Sequence, residues 1–334
     1  MWSLMGHSAV LQLLTRSLQT NRLAHSYLLV GPSHVGKMTL ALELAQAVNC
    51  IESQKPCGEC PQCVRIMSGK HTDVQILSID ESDATTKEIS IDQVRELQRS
   101  ASLKPFEGDC RVFIADGAER LSQEATNALL KTLEEPPAQV LLLLLTTNEE
   151  SLLPTLRSRC QRLELHPLSL ERVEHTLIDR GASMEYARQL AVQSQGCLGI
   201  ALTALQNPDS FKAEEQEIER LLGILKSSIH ERFSYSAALA DAFMKDRDSG
   251  GTCLRIWIAW WRTVLLAKEG LGHSFYKDYR NQIEDLAKHT DIATVVYVLR
   301  LIQETVTILD QNASPRLAFE NLLLRLPVHA HGEY

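Results

Sequence analysis

Positive charge is in short supply: Lys and Arg total 34 against 42 Asp and Glu, a net charge of −8. That balance argues against a chain that grips nucleic acid by itself through a large basic surface, so any DNA contact is expected to be local or shared with partners. The N-terminal stretch MWSLMGHSAVLQLL has no basic leader, and His7, Ser8 and Gln12 interrupt its apolar residues, which speaks against a secretory signal. Ile256 to Ala267 reads as the most apolar of the later stretches, yet it carries Arg262 and is too short to span a bilayer. There is no internal repeat and no low-complexity tract. The expectation is a cytosolic chain, in which eight cysteines suggest metal or free thiols before disulfides. At 334 residues, 44% hydrophobic and 23% charged, it has the composition of a globular protein with room for two or three domains.

The stretch around which the chain reads is GPSHVGKMT, Gly31 to Thr39. It lies between an apolar strand pattern, Ser26 to Val30, and a helical one, Thr39 to Val48. Gly31, Gly36 and Lys37 fit G-x-x-x-x-G-K, in which glycines let backbone N–H groups wrap a phosphate and the lysine reaches its outer oxygens. The next position departs from the motif. A hydrolysing P-loop needs a Ser or Thr hydroxyl there for Mg²⁺, and the thioether of Met38 does not ligate a hard cation. Thr39 sits about 100° further round the helix and substitutes poorly. It is kept with Gly31, Gly36 and Lys37 as a candidate nucleotide-site residue.

Cys50, Cys57, Cys60 and Cys63 follow the first helix, with Pro56, Gly58 and Pro61 supplying turns between them. Four thiolates on two short spacers suit tetrahedral zinc, and a four-Cys shell leaves no open coordination position, so the site reads as structural. An iron–sulfur cluster and unrelated free thiols are the competing readings.

Further strands are expected at Val74 to Ile79, Arg111 to Asp116, Val140 to Leu145 and Arg162 to Leu165, with a polar loop from Asp80 to Glu88. Ser90 and Gln93 form a capping-box pattern, and Ser122 to Glu135 reads as a helix stopped by Pro136. Asp116 ends its strand where an acid can orient Mg²⁺ or its water, but Gly117 follows where many ATPases carry a glutamate. Glu119 is expected to point elsewhere, and Lys131, Glu134 and Glu135 to be a solvated face. Val140 to Leu145 is apolar throughout, as in a central parallel strand, and ends in Thr146, Thr147 and Asn148. Ahead of all these strands, the segment Ser8 to Gln19 has helical periodicity and could wall a base pocket or simply pack.

Past Pro167 the pattern is helical. Leu170 to Arg180, Met184 to Ser194 and Gly199 to Gln206 form a three-helix unit, and Pro208 marks a boundary. Breaks are expected near Ser227, Ser249-Gly250-Gly251, Gly270-Leu271-Gly272 and Gln311-Asn312, with Ser314-Pro315 starting the last helix. Trp257, Trp260 and Trp261 fall at helical spacing, which fits core packing better than stacking on bases.

RLAHSYLLVGPSHVGK, the four-Cys insert, the Asp116 strand, TNALLKTLEEPP and TLRSRC together resemble bacterial clamp-loader AAA+ subunits. The resemblance covers Gly6 to about Leu205, and more loosely Asn312 to Leu326. It implies an α/β module followed by an all-α region: an AAA+ P-loop domain with a parallel five-stranded sheet and zinc insert (1–166, cysteines at 50–63), a helical lid (167–207) and a helical collar for oligomerisation (208–334). Two kinds of subunit share these motifs, an ATP-hydrolysing gamma/tau motor and a delta-prime type. Met38, Gly117 and Gly199, the last standing where the motor's lid has a nucleotide-sensing arginine, all depart from the motor, so the second kind fits better. ATP or ADP binding stays open, because Gly36 and Lys37 remain, while Mg²⁺ is in doubt. Arg159 of Ser158-Arg159-Cys160 is then a trans arginine directed at a neighbour's ATP. The implied partners are gamma/tau and delta subunits, and through the complex the sliding clamp and primer-template DNA. A true motor and a freestanding zinc-dependent nucleic-acid binder are the other readings, and without the resemblance Arg159 would be read as pairing with a nearby acid.

Overall fold

The computed structural model describes residues 2–79, 88–207, 209–245, 247–270, 279–310 and 313–327. Residues 80–87 of the loop expected over Asp80 to Glu88, with Pro208, Leu271-Gly272 and Gln311-Asn312, lie outside them. The chain divides into two compact units, Met1–Val173 with Ser194–Ile200, and Glu174–Gln193 with Ala201–Tyr334.

In the first unit the order is α1 (Ser8–Gln19), β1 (Ser26–Val30), α2 (Lys37–Asn49), α3 (Pro61–Met67), β2 (Val74–Leu77), α4 (Ile91–Ala101), β3 (Arg111–Asp116), α5 (Gln123–Glu134), β4 (Val140–Thr146), α6 (Pro154–Arg157) and β5 (Gln161–Glu164). The five strands form one parallel sheet in the order β2-β3-β4-β1-β5. Every residue of β1 and β4 is buried, as their unbroken apolar runs require when helices cover both faces. Alternation sorts the side chains: Leu28, Leu142 and Leu144 pack with Val94, Leu97 and Leu129 of α4 and α5, while Tyr27, Leu29, Leu141 and Leu143 pack with Leu14, Leu40 and Leu44 of α1 and α2. The Ser90–Gln93 capping box opens α4, and Ser122 caps α5 through the Ala125 N–H. β2 stops two residues short of the expected Ile79, and β5 begins one residue early, at Gln161.

Beyond the sheet come α7 (Leu170–Asp179), α8 (Met184–Gln193), α9 (Leu198–Gln206), α10 (Asp209–Lys226), α11 (Ile229–Lys245), α12 (Arg247–Lys268), α13 (Arg280–His289), α14 (Ile292–Asp310) and α15 (Pro315–Arg325). Gly181, at φ 94°, ends α7 with a Schellman pair: its own N–H donates to Ile178 O and that of Ala182 to Leu177 O. The core of the second unit holds Trp257, Trp260 and Trp261, all fully buried, with Tyr235 stacked on Trp257 at 6.5 Å. These tryptophans are packing residues, unavailable to a base. Arg232, also buried, donates to the carbonyls of Leu323, Leu326 and Pro327 and so caps the end of α15.

Two expectations fail in this unit. The break at Ser249-Gly250-Gly251 lies inside α12, where the buried tryptophan face outweighs a propensity penalty of about 1 kcal/mol per glycine. Among the described residues, Ile292–Leu309 of α14, of mean hydropathy 1.6, is long and apolar enough to cross a membrane by those measures alone. One third of it is buried: Val295, Val298, Leu301, Ile302 and Leu309 in the tryptophan core, and Thr305.

Candidate functional site

Parallel register brings the C-terminal ends of β1, β3 and β4 together, pairing Val30 with Thr146 and Asp116 with Leu145. Gly31 leaves β1 with its N–H on Thr146 O at 3.3 Å, and a Cβ there would run into the Leu165 carbonyl. Gly36, at φ 111°, is the N-cap of α2, a backbone that L side chains rarely adopt. The helix therefore starts at Lys37, two residues before the periodicity suggested. Lys37 is buried, and its ammonium donates to Gly31 O at 2.6 Å and Pro32 O at 2.9 Å. Burial lowers its pKa, while the carboxylates of Glu119 and Asp116 pull it back up. Asp116 is raised by burial, with Lys37 opposing.

Glu119, expected to point away, does not. A 3-10 turn over Ala118–Arg120 swings it back toward the end of β4, where Oε1 accepts from Thr147 Oγ1 at 2.8 Å and Thr147 N at 3.3 Å. Glu119, Asp116 and Lys37 thus share one electrostatic neighbourhood. Helical or strand spacing could not reveal this, because the turn follows from Gly117 at φ 78°.

The three departures from a hydrolysing site each have a structural counterpart. The Met38 side chain is half-buried and packs against the apolar cluster of β1 and α2, and Thr39 is exposed. Gly117 occupies left-handed backbone, where a glutamate would be strained. Gly199 donates its N–H to His34 O at 3.1 Å, and a Cβ at 199 would lie 2.7 Å from that same oxygen. The residues present fit a phosphate but do not supply the hydroxyl that Mg²⁺ needs. A further feature had no sequence signal: Ser3 N and Leu4 N donate to the buried Glu43 carboxylate of α2 at 2.8 and 3.3 Å, drawing residues 3–4 along the P-loop helix.

The four cysteine sulfurs lie within 4.8 Å of one another, with Cys50–Cys60 at 3.9 Å and Cys57–Cys63 at 3.8 Å. A zinc ion with bonds near 2.3 Å needs tetrahedral edges of about 3.8 Å, so the cluster could hold one. The Cys60 N–H donates to Cys57 Sγ at 3.2 Å, and the backbone N–H groups of Cys60 and Glu59 draw the Cys57 thiol down to about 6, whereas burial pushes Cys50 up and Cys63 up to about 12, so a bound cation is what would hold all four as thiolates. Gln46 of α2 donates to Cys63 O at 2.9 Å. On the other side Gln62 meets His71 Nε2 at 2.6 Å and Glu107 O at 2.9 Å, so the insert is tied to the loop before β3.

Arg159 is placed elsewhere. It precedes β5, and its carbonyl accepts from Ser26 Oγ at 2.8 Å at the start of β1. The P-loop leaves the other end of β1, five residues on, or about 16 Å at strand rise. Arg159 therefore stands at the opposite end of the strands from Lys37. Its Nη2 donates to Glu134 Oε1 at 2.7 Å and its Nη1 to Thr155 O at 2.9 Å, so Glu134 is paired where a solvated face was expected.

A parallel sheet with a P-loop after β1, an acid ending β3 and a largely helical second half defines an AAA+ P-loop module. The family model described as "DNA polymerase III, delta subunit" matches residues 6–169. DNA polymerase III subunit delta' of Bacillus subtilis is 28% identical over 319 residues, 95% of each chain. The tau subunit of Salmonella typhimurium is 36% identical over 248 residues, 71% of this chain and 37% of tau. A solved DNA polymerase III gamma subunit-related protein of Thermotoga maritima aligns over 93% of this chain and 97% of its own, at 17% identity and TM-score 0.44. The chain belongs to the DNA polymerase III clamp-loader family.

Proposed function

We propose that the chain is a non-hydrolysing, delta-prime-type subunit of the bacterial DNA polymerase III clamp loader, working in the cytoplasm. In this reading residues 1–166 are the nucleotide-binding-type domain, 167–207 a lid and 208–334 a collar that joins it to gamma/tau and delta subunits. Arg159 reaches the ATP of a neighbouring motor subunit, where its guanidinium would stabilise charge on the transferring phosphoryl group. Such arginines are worth about 10³ to 10⁵ in rate in GTPases. Through the assembled loader the chain helps place the sliding clamp on primer-template DNA. The four-Cys zinc is structural, and Gly31, Gly36, Lys37 and Asp116 can hold a nucleotide that is not turned over.

The observation that carries this reading is the separation of Arg159 from its own P-loop across the length of β1. That distance keeps Arg159 from acting at its own P-loop and supports a role at a site on another subunit. The alternative is a gamma/tau-type motor, favoured by Glu119 and Asp116 beside Lys37. ATP turnover by the purified chain decides between them. Turnover abolished by Lys37→Ala supports the motor; no turnover supports the proposal.

A further inference from the structure

Glu134 is the last residue of α5, followed by Glu135. Two acids at a helix C-terminus have the wrong sign for the helix dipole, which a cation beside them offsets. Lys131 lies in the same last turn, and Arg159, 25 residues on, meets Glu134 Oε1 at 2.7 Å. The guanidinium is also fixed from a second side, with Nη1 donating to Thr155 O at 2.9 Å and to Ser158 Oγ at 3.5 Å. Its Nε–H meets no acceptor among the described residues. The neighbouring Arg162 contrasts with it: Nε, Nη1 and Nη2 are all engaged by Glu149 and Glu164, which leaves its fork closed. Arg159 is thus anchored yet retains an open donor edge, while its side chain stays one-third exposed.

We propose that Glu134 is a positioning residue for Arg159, holding the guanidinium so that its open edge faces an anion outside the chain. The proposal rests on the trans role given to Arg159 above and adds the residue that sets its geometry. A long side chain that is oriented in advance loses less rotamer freedom when it meets a phosphate. Glu134 itself touches no phosphate; it holds Nη2 while the Nε–H stays open.

The test is ATP turnover by the loader reconstituted from its motor subunits and this chain, with kcat and KM measured separately. Arg159→Ala sets the reference loss. Glu134→Ala is expected to lower kcat about three- to tenfold with KM and assembly unchanged, and Glu134→Gln, which keeps an acceptor oxygen, to retain most of the rate. The double variant is expected to be no slower than Arg159→Ala alone. A wild-type rate for Glu134→Ala, or a double variant slowed by the product of the two single effects, overturns the positioning role and leaves the trans arginine standing. An unchanged rate for Arg159→Ala overturns both.

Discussion

Gly199 and His34 are joined backbone to backbone at 3.1 Å, which seats the start of α9 on the P-loop. An arginine at 199 would have to displace the His34 carbonyl that its Cβ meets at 2.7 Å. Gly199→Arg is therefore expected to destabilise the protein by about 1–3 kcal/mol, as overpacking does, without creating a nucleotide sensor. A lowered denaturant midpoint with unchanged nucleotide affinity checks this.

Met38→Thr restores the missing hydroxyl but removes half-buried packing from the β1–α2 cluster. The expected result is a loss of about 1–2 kcal/mol in stability and a gain in Mg²⁺-dependent ATP affinity, with no turnover. Titrating ATP with and without Mg²⁺ gives the answer; a variant that hydrolyses ATP would show that Gly117 and Gly199 do not matter.

Zinc removal should act locally. The chain is expected to release one zinc per molecule to a chelator, with hydrogen exchange rising sharply in α3 and in the His71–Glu107 contacts of Gln62, while β1, β3 and β4 stay protected. Loss of protection through the whole sheet would mean that the insert holds the fold.

Asp73 is expected to set the acid sensitivity of the same region. Burial alone would raise its carboxyl, but the N–H groups of Phe106, Glu107 and Gly108, with Arg111 nearby, outweigh burial and hold it below the ordinary value of about 4. A depressed folded value contributes stability that is fully present above pH 4 or so and is lost as pH falls through the folded value. Asp73→Asn is expected to cost about 2–4 kcal/mol at neutral pH and to flatten the acid limb of a stability–pH profile. An unchanged acid limb would remove Asp73 from that role.

Much of this is readable from sequence where chemistry is local. The apolar runs of β1 and β4, the Ser90 cap and the four-Cys spacing state their roles within a few residues, and the sheet and sulfur cluster follow. Contacts across long separations leave no periodic trace. The Arg159–Glu134 pair spans 25 residues and the Ser3–Glu43 bond 40. The direction of Glu119 escapes sequence reasoning because it depends on a turn at Gly117, and the α12 glycines mislead because tertiary burial overrides propensity.

The most direct test of the central claim is ATP turnover by gamma/tau motor subunits assembled with either the wild-type chain or Arg159→Ala. The account predicts normal assembly and a clear fall in turnover with the variant, while the isolated chain turns over no ATP. Equal turnover from the two assemblies would contradict it.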